Sequence, residues 1–144
     1  MKNGLAWTSI MLGLVGSVAL ASAAQAAGTP LVPIAEAVVF PFYGRGTATE
    51  AVLVPAFEME HTPVTNAQFL AFVTREPRWQ RGTTPLLFAD EGYLAHWGGP
   101  RDLGDADPQQ PVTHVSWFAA RAYCSSLGRR LPSEHEWELV AQAD

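Results

Sequence analysis

Residues 111–142 read PVTHVSWFAARAYCSSLGRRLPSEHEWELVAQ, and they mark two helix starts and one helix stop. Ser116 is a good N-cap, because a serine oxygen accepts a hydrogen bond from one of the first free amides of the helix that follows. Gly128 ends that helix, since glycine adopts the left-handed conformation after a C-cap without a Cβ penalty, and Arg129 and Arg130 beside it suit the negative end of the helix dipole. Ser133 and Glu136 then form an S-x-x-E capping box, which opens a second helix with Glu134 and Glu136 in its first turn. In the first helix Trp117, Ala120, Tyr123, Cys124 and Leu127 fall on one side; in the second, Trp137, Val140 and Ala141 stand at i, i+3 and i+4. The spacing predicts two core faces with both tryptophans pointing inward, each burying on the order of 200 Å².

A third helix is predicted upstream. Thr65 and Gln68 form a T-x-x-Q capping box, with Val64 and Phe69 placed as a hydrophobic staple. The helix they open carries Phe69, Phe72 and Val73 on one face and stops near Glu76, because Pro77 disfavours helical geometry in the residue before it. Before it, Val38, Val39 and Phe40, then Ala51 to Val54, read as strands, with a turn at Gly44-Arg45-Gly46-Thr47. Phe57-Glu58-Met59-Glu60 alternates apolar with acidic like a half-buried strand, its acids facing solvent. Residues 28–33 read as a proline-punctuated linker.

Taken in order, Pro111-Val112, Val115-Ser116-Trp117, Ala122-Tyr123-Cys124 and Arg130-Leu131-Pro132-Ser133-Glu134 through Glu136-Trp137-Glu138 resemble the PV..VSW..A.AYC...G.RLPTE.EWE signature of the sulfatase-modifying factor family. Pro63-Val64-Thr65-Asn66-Ala67-Gln68-Phe69 with Phe72 resembles that family's EVTN..F..F element. The family includes the formylglycine-generating enzymes and related domains of ergothioneine and pyoverdine biosynthesis. The resemblance runs from about Val52 to Asp144 and covers only the front part of such a domain. It implies an α+β fold, a variant of the C-type-lectin-like fold that is irregular with long loops, here incomplete. It also implies oxygen-dependent metal chemistry: cysteine oxidation with copper, or sulfur transfer with nonheme iron, with calcium as a further ion of intact relatives.

The amino terminus carries an address. Met1-Lys2-Asn3 is a short positive start, Leu5 to Leu20 is apolar, and small residues at Ala21-Ser22-Ala23 or Ala24-Gln25-Ala26 offer cleavage after Ala23 or Ala26. The expectation is a signal peptide over 1–26, a linker and first strand region over 27–50, and the front of the family domain over 51–144, exported to a periplasmic or extracellular space. Thr8, Ser9, Gly13, Gly16 and Ser17 interrupt the run, which is shorter than the ~20 apolar residues that span a bilayer. The remaining segment holds eight arginines, no lysine and fourteen acids, a net charge of −6. That sign speaks against nucleic acid or an anionic membrane as partner.

Candidate chemistry is sparse. Cys124 is the sole cysteine; it lies in an apolar stripe and corresponds to the AYC element, whereas the family's reactive pair lies well downstream of it. Two thiolates are what select Cu(I). Glu58, Glu60 and His61 lack a further ligand, and Asp102, Asp105 and Asp107 lack the glycine and distal glutamate of a calcium loop. His61, His96, His114 and His135 fall at no ligand spacing. No residue is therefore assigned as catalytic, cofactor-binding or metal-binding. Residues 78–110 show no period; Trp79, Phe88, Tyr93 and Trp97 predict a loop pinned to the body by its rings, with a short helical turn around residues 89–96. Two readings follow: a truncated or split member whose chemistry is lost or supplied by a complementary C-terminal polypeptide, or a binding or maturation module that uses the 78–110 loop to hold a protein or small ligand.

Overall fold

A computed structural model describes residues 29–40 and 50–142. The signal segment and the 44–47 turn lie outside the described residues. Among the described residues four short strands come first: β1 (Leu31–Ile34), β2 (Ala37–Val39), β3 (Val52–Val54) and β4 (Phe57–Glu60). Three helices follow: α1 (Asn66–Arg75), α2 (Trp117–Ser126) and α3 (Glu134–Ala141), with a single 3₁₀ turn at Pro77–Trp79. The architecture is α+β.

The strands form one interrupted antiparallel ladder. Leu31 faces Glu60 and Ile34 faces Phe57 in β1–β4; Ala37 faces Val54 and Val39 faces Val52 in β2–β3, so the register is the same in both. The break falls where Ala35 and Glu36 lie opposite Pro55 and Ala56, because Pro55 has no N–H to give the ladder. The strand at Leu31–Ile34 corrects the linker expected there: Pro33 is tolerated in a two-stranded ribbon, whose free edge needs no donor. Glu60 also departs from the solvated face expected for it, since it pairs with Arg129 across the fold. Helix α3 packs on the inner ladder, where Val39 and Val54 are buried.

Both capping boxes form. The Gln68 amide donates to Thr65 Oγ1 at 3.3 Å and the Thr65 amide to Gln68 Oε1 at 2.8 Å. At α3 the Glu136 amide donates to Ser133 Oγ at 3.2 Å and the Ser133 amide to Glu136 Oε2 at 2.7 Å. Helix α1 ends at Arg75, before Pro77, and Gly128 takes φ +69° after α2, both as the residue types dictate.

The core is centred on α1. Phe69, Phe72 and Val73 are buried with Tyr123 of α2, and the rings of Phe69 and Phe72 lie 5.8 and 5.5 Å from that of Tyr123. The 78–110 loop completes this core by inserting Ala89, Tyr93, Leu94 and Trp97. Its backbone is held in a run of i→i+3 turns, Tyr93 to Asp90, Ala95 to Gly92 and Trp97 to Leu94. Asn66 is the clamp: its Nδ2 donates to the Asp107 carbonyl at 2.9 Å, and its Oδ1 accepts from Trp97 Nε1 at 3.2 Å. Buried amide groups of this kind are retained because each has a partner.

The inward tryptophans are a correction. Trp117 is 58% exposed and Trp137 62% exposed. In α2 Tyr123 of the expected face is buried and Cys124 and Leu127 pack against the core, but Ala119 rather than Trp117 completes the stripe that meets Phe69 and Phe72 of α1. In α3 the buried residue is Glu136, sealed by Arg130, while the ring of Trp137 stays at the surface.

Candidate functional site

A groove of about 700 Å³ lies between β4, the 128–132 segment and α3. Leu31, Phe57 and Met59 form one wall; Leu131, Trp137 and Val140 form the other. Two ion pairs brace it. Arg129 bonds the Glu60 carboxylate through Nη1, and Thr29 Oγ1 donates to the other carboxylate oxygen at 2.9 Å. Arg130 grips Glu136 in a bidentate pair, Nη1 to Oε2 and Nη2 to Oε1, both at 2.6 Å. The fork geometry of guanidinium and carboxylate suits this arrangement, and it holds Glu136 well below the usual carboxylate range, down to about 2. The RRLPSE stretch is therefore a bracket: one arginine ties it to β4 and the next ties it to α3.

Cys124 lines the same groove. Burial pushes its thiol up, and the negative charge of Glu60 pushes it further. A thiol so placed stays protonated and is a poor nucleophile or metal ligand. Burial likewise raises the Tyr123 hydroxyl to about 12, with Glu60 adding to the effect. These groups pack; none is poised for proton transfer near neutral pH.

The other candidates are scattered. Asp102 and Asp107 turn back on their own loops, accepting from the amides of Gly104 at 3.0 Å and Gln109 at 2.8 Å. His61 lines the groove, and His135 approaches Glu138 at 3.7 Å. Among the described residues no group of three or more His, Cys, Asp or Glu side chains could hold a metal ion. The two-thiolate copper site of the resembling enzymes does not fit the one half-buried thiol of this chain. Sequence spacing missed one pairing: His96 and His114 meet at 5.2 Å between ring centroids, brought together by two loops.

A second surface is aromatic. Trp79, Phe88, Phe118 and Trp117 make consecutive edge-to-face contacts at 6.2, 5.3 and 5.4 Å. Arg78 stands over Trp79 and Arg121 over Trp117, at 5.6 and 5.4 Å from the ring centroids. Leu86 and Leu87 beside this row are exposed.

The geometry defines a small α+β scaffold with an open apolar groove and no cluster of metal-ligating side chains among the described residues. The chain belongs to the family of the sulfatase-modifying factor enzyme 1-like domain, whose family model matches residues 16–144. It is 37% identical to hercynine oxygenase of Mycolicibacterium thermoresistibile over 63% of this chain and 23% of that protein. It is 34% identical to inactive C-alpha-formylglycine-generating enzyme 2 of Mus musculus, over 69% of this chain and 40% of the relative. With formylglycine-generating enzyme of Streptomyces coelicolor it shares 33% identity over 67% of this chain and 39% of that protein. The chain thus matches well under half the length of these relatives. No solved structure is significantly similar to it.

Proposed function

We propose that this chain contributes the non-reactive front part of an exported domain of the formylglycine-generating type, on a C-type-lectin-like scaffold, and turns over no substrate by itself. The groove beside Trp137 carries this reading. Apolar surface left in water costs about 25 cal/mol per Å², and here a tryptophan that is 62% exposed borders a cleft lined by Leu31, Phe57, Met59, Leu131 and Val140. The partner that fits is polypeptide that lays apolar side chains into the cleft, namely the remainder of the family domain, supplied as a complementary C-terminal segment. The positive start, apolar run and small residues over 1–26 support export to a periplasmic or extracellular space on this reading.

Acrylamide quenching of Trp137 tests this in a variant whose other tryptophans are phenylalanine. Added C-terminal polypeptide of the family domain is expected to shield Trp137, and unchanged quenching overturns the reading. Oxygen-dependent turnover by the purified chain alone overturns it as well.

A second reading has its own support in the row from Trp79 to Trp117 with an arginine at each end. Aromatic and arginine side chains dominate protein recognition surfaces. On that reading the protein is an exported binding or maturation module. A soluble, monodisperse mature chain with cooperative melting favours it, and a molten state favours the first.

A further inference from the structure

We infer that Arg81, His96 and His114 form a binding site for a small oxyanion. Three separate stretches of loop bring them together. Arg81 donates from Nη1 to the carbonyl of Trp97, the residue after His96. The His96 and His114 rings lie 5.2 Å apart, tilted by 45°. Burial first, and then the like charges of His114 and Arg81, hold the His96 proton affinity below the ordinary histidine value. Among the described residues none of the three enters an ion pair. In a chain of net charge −5, the two imidazoles face each other with no carboxylate within ion-pair distance among the described residues, and Arg81, which also borders a cleft with Asp90 and Glu91, pairs with neither acid.

The backbone beneath is fixed. Leu94, fully buried, and Trp97, 2% exposed, flank His96 on the inside of the loop. The Leu94 amide donates to the His114 carbonyl at 2.8 Å, which ties the two histidine loops to each other. The ring nitrogens of His96 make no hydrogen bond among the described residues, and His114 uses Nδ1 on the Thr113 hydroxyl at 3.2 Å, which leaves its Nε2 available. The unbonded ring nitrogens of His96, the Nε2 of His114 and the remaining Arg81 donors are thus the groups that would meet one ligand. Ordered positions of this sort lower the cost of binding.

Ring spacing alone would also suit a cation shared by two imidazole nitrogens at ~2.0 Å each. Arg81 decides against that: its guanidinium, held on the carbonyl of Trp97 next to His96, repels a cation and attracts an anion. The two ligands therefore respond oppositely to its removal. An oxyanion raises the proton affinity of His96, and by linkage its own affinity rises as that imidazole protonates.

Proton NMR titration of the full chain with inorganic phosphate, and separately with acetate, tests the site. Near pH 5.5, saturable binding is expected to move the His96 and His114 ring resonances together and to raise the His96 pKa. Near pH 8, with the His96 imidazole neutral, acetate affinity is expected to fall by about tenfold or more. Phosphate binding much tighter than acetate assigns a tetrahedral ligand, and the reverse a carboxylate. Arg81→Gln and His96→Gln are expected to weaken binding about tenfold, while Arg81→Lys keeps most of it; circular dichroism confirms the fold of each variant. Absence of any shift with either anion at tens of millimolar in the native chain overturns the proposal. So does zinc binding that Arg81→Gln strengthens while the anions leave both rings unmoved.

Discussion

The amide of Leu94 donates to the carbonyl of His114 at 2.8 Å, and both residues stand in the left-handed region, at φ 51° and 54°. Side chains other than glycine rarely adopt that conformation, since Cβ crowds the following carbonyl at a cost of roughly 1–2 kcal/mol each. The bond between them closes the 78–110 loop against the segment that leads into α2, and Leu94 is fully buried beneath it. The conformation is thus retained by packing.

Substituting His114 reads that backbone directly. His114→Asn keeps a residue type that tolerates the left-handed region, and is expected to change stability by less than about 0.5 kcal/mol. His114→Val places a β-branched side chain there and is expected to cost roughly 1–2 kcal/mol or more. Urea unfolding of the two variants checks the difference; equal midpoints would contradict the strained geometry.

Asn66 joins α1 to the loop through Trp97 Nε1 at 3.2 Å and the Asp107 carbonyl at 2.9 Å. Asn66→Leu removes both bonds and leaves the buried indole N–H unpaired, an expected loss of about 2–4 kcal/mol. Amide hydrogen exchange is expected to quicken at Ala67, whose N–H bonds the Pro108 carbonyl, before it quickens in the interior of α1. Uniform quickening would show that the loop and helix open as one unit.

Aromatic truncations separate core from surface. Phe69→Ala or Phe72→Ala empties the centre of the cluster and is expected to cost about 3–5 kcal/mol. Trp137→Ala, at a position 62% exposed, is expected to cost under about 1 kcal/mol in the isolated chain. Thermal melts rank the three, and a Trp137 loss as large as those of the phenylalanines would mean that its ring is covered in solution.

The Arg130–Glu136 pair makes stability pH-dependent. Glu136 has its pKa lowered from 4.5 to about 2, first by the Arg130 hydrogen bonds, so folding favours its ionised form. The pair's contribution is complete above pH 4.5 and is lost as pH falls through 4.5 toward 2. Glu136→Gln is expected to be less stable than the native chain at neutral pH and to lose less stability across that acid window. Parallel acid unfolding curves for the two proteins would contradict this.

Helix ends were legible in the sequence alone, because the groups that cap a helix sit within four residues of one another: Thr65 with Gln68, Ser133 with Glu136, and Gly128 after α2. The apolar face of α1 was legible for the same reason, as was the family signature from Pro111 to Glu138. The exposure of Trp117 and Trp137 was not, since a helical wheel shows which residues share a side but not which side meets a neighbour. Strand Leu31–Ile34 depends on a partner at Phe57–Glu60, and the Glu60–Arg129 and His96–His114 pairs depend on contacts between residues far apart in the chain. Local hydrogen bonding and periodicity thus determined the helices, and the resemblance of the Pro111 to Glu138 signature pointed to the family. Tertiary packing alone decided which faces were buried, how the loop entered the core and which charges met, because those depend on distant neighbours that no short window of sequence contains.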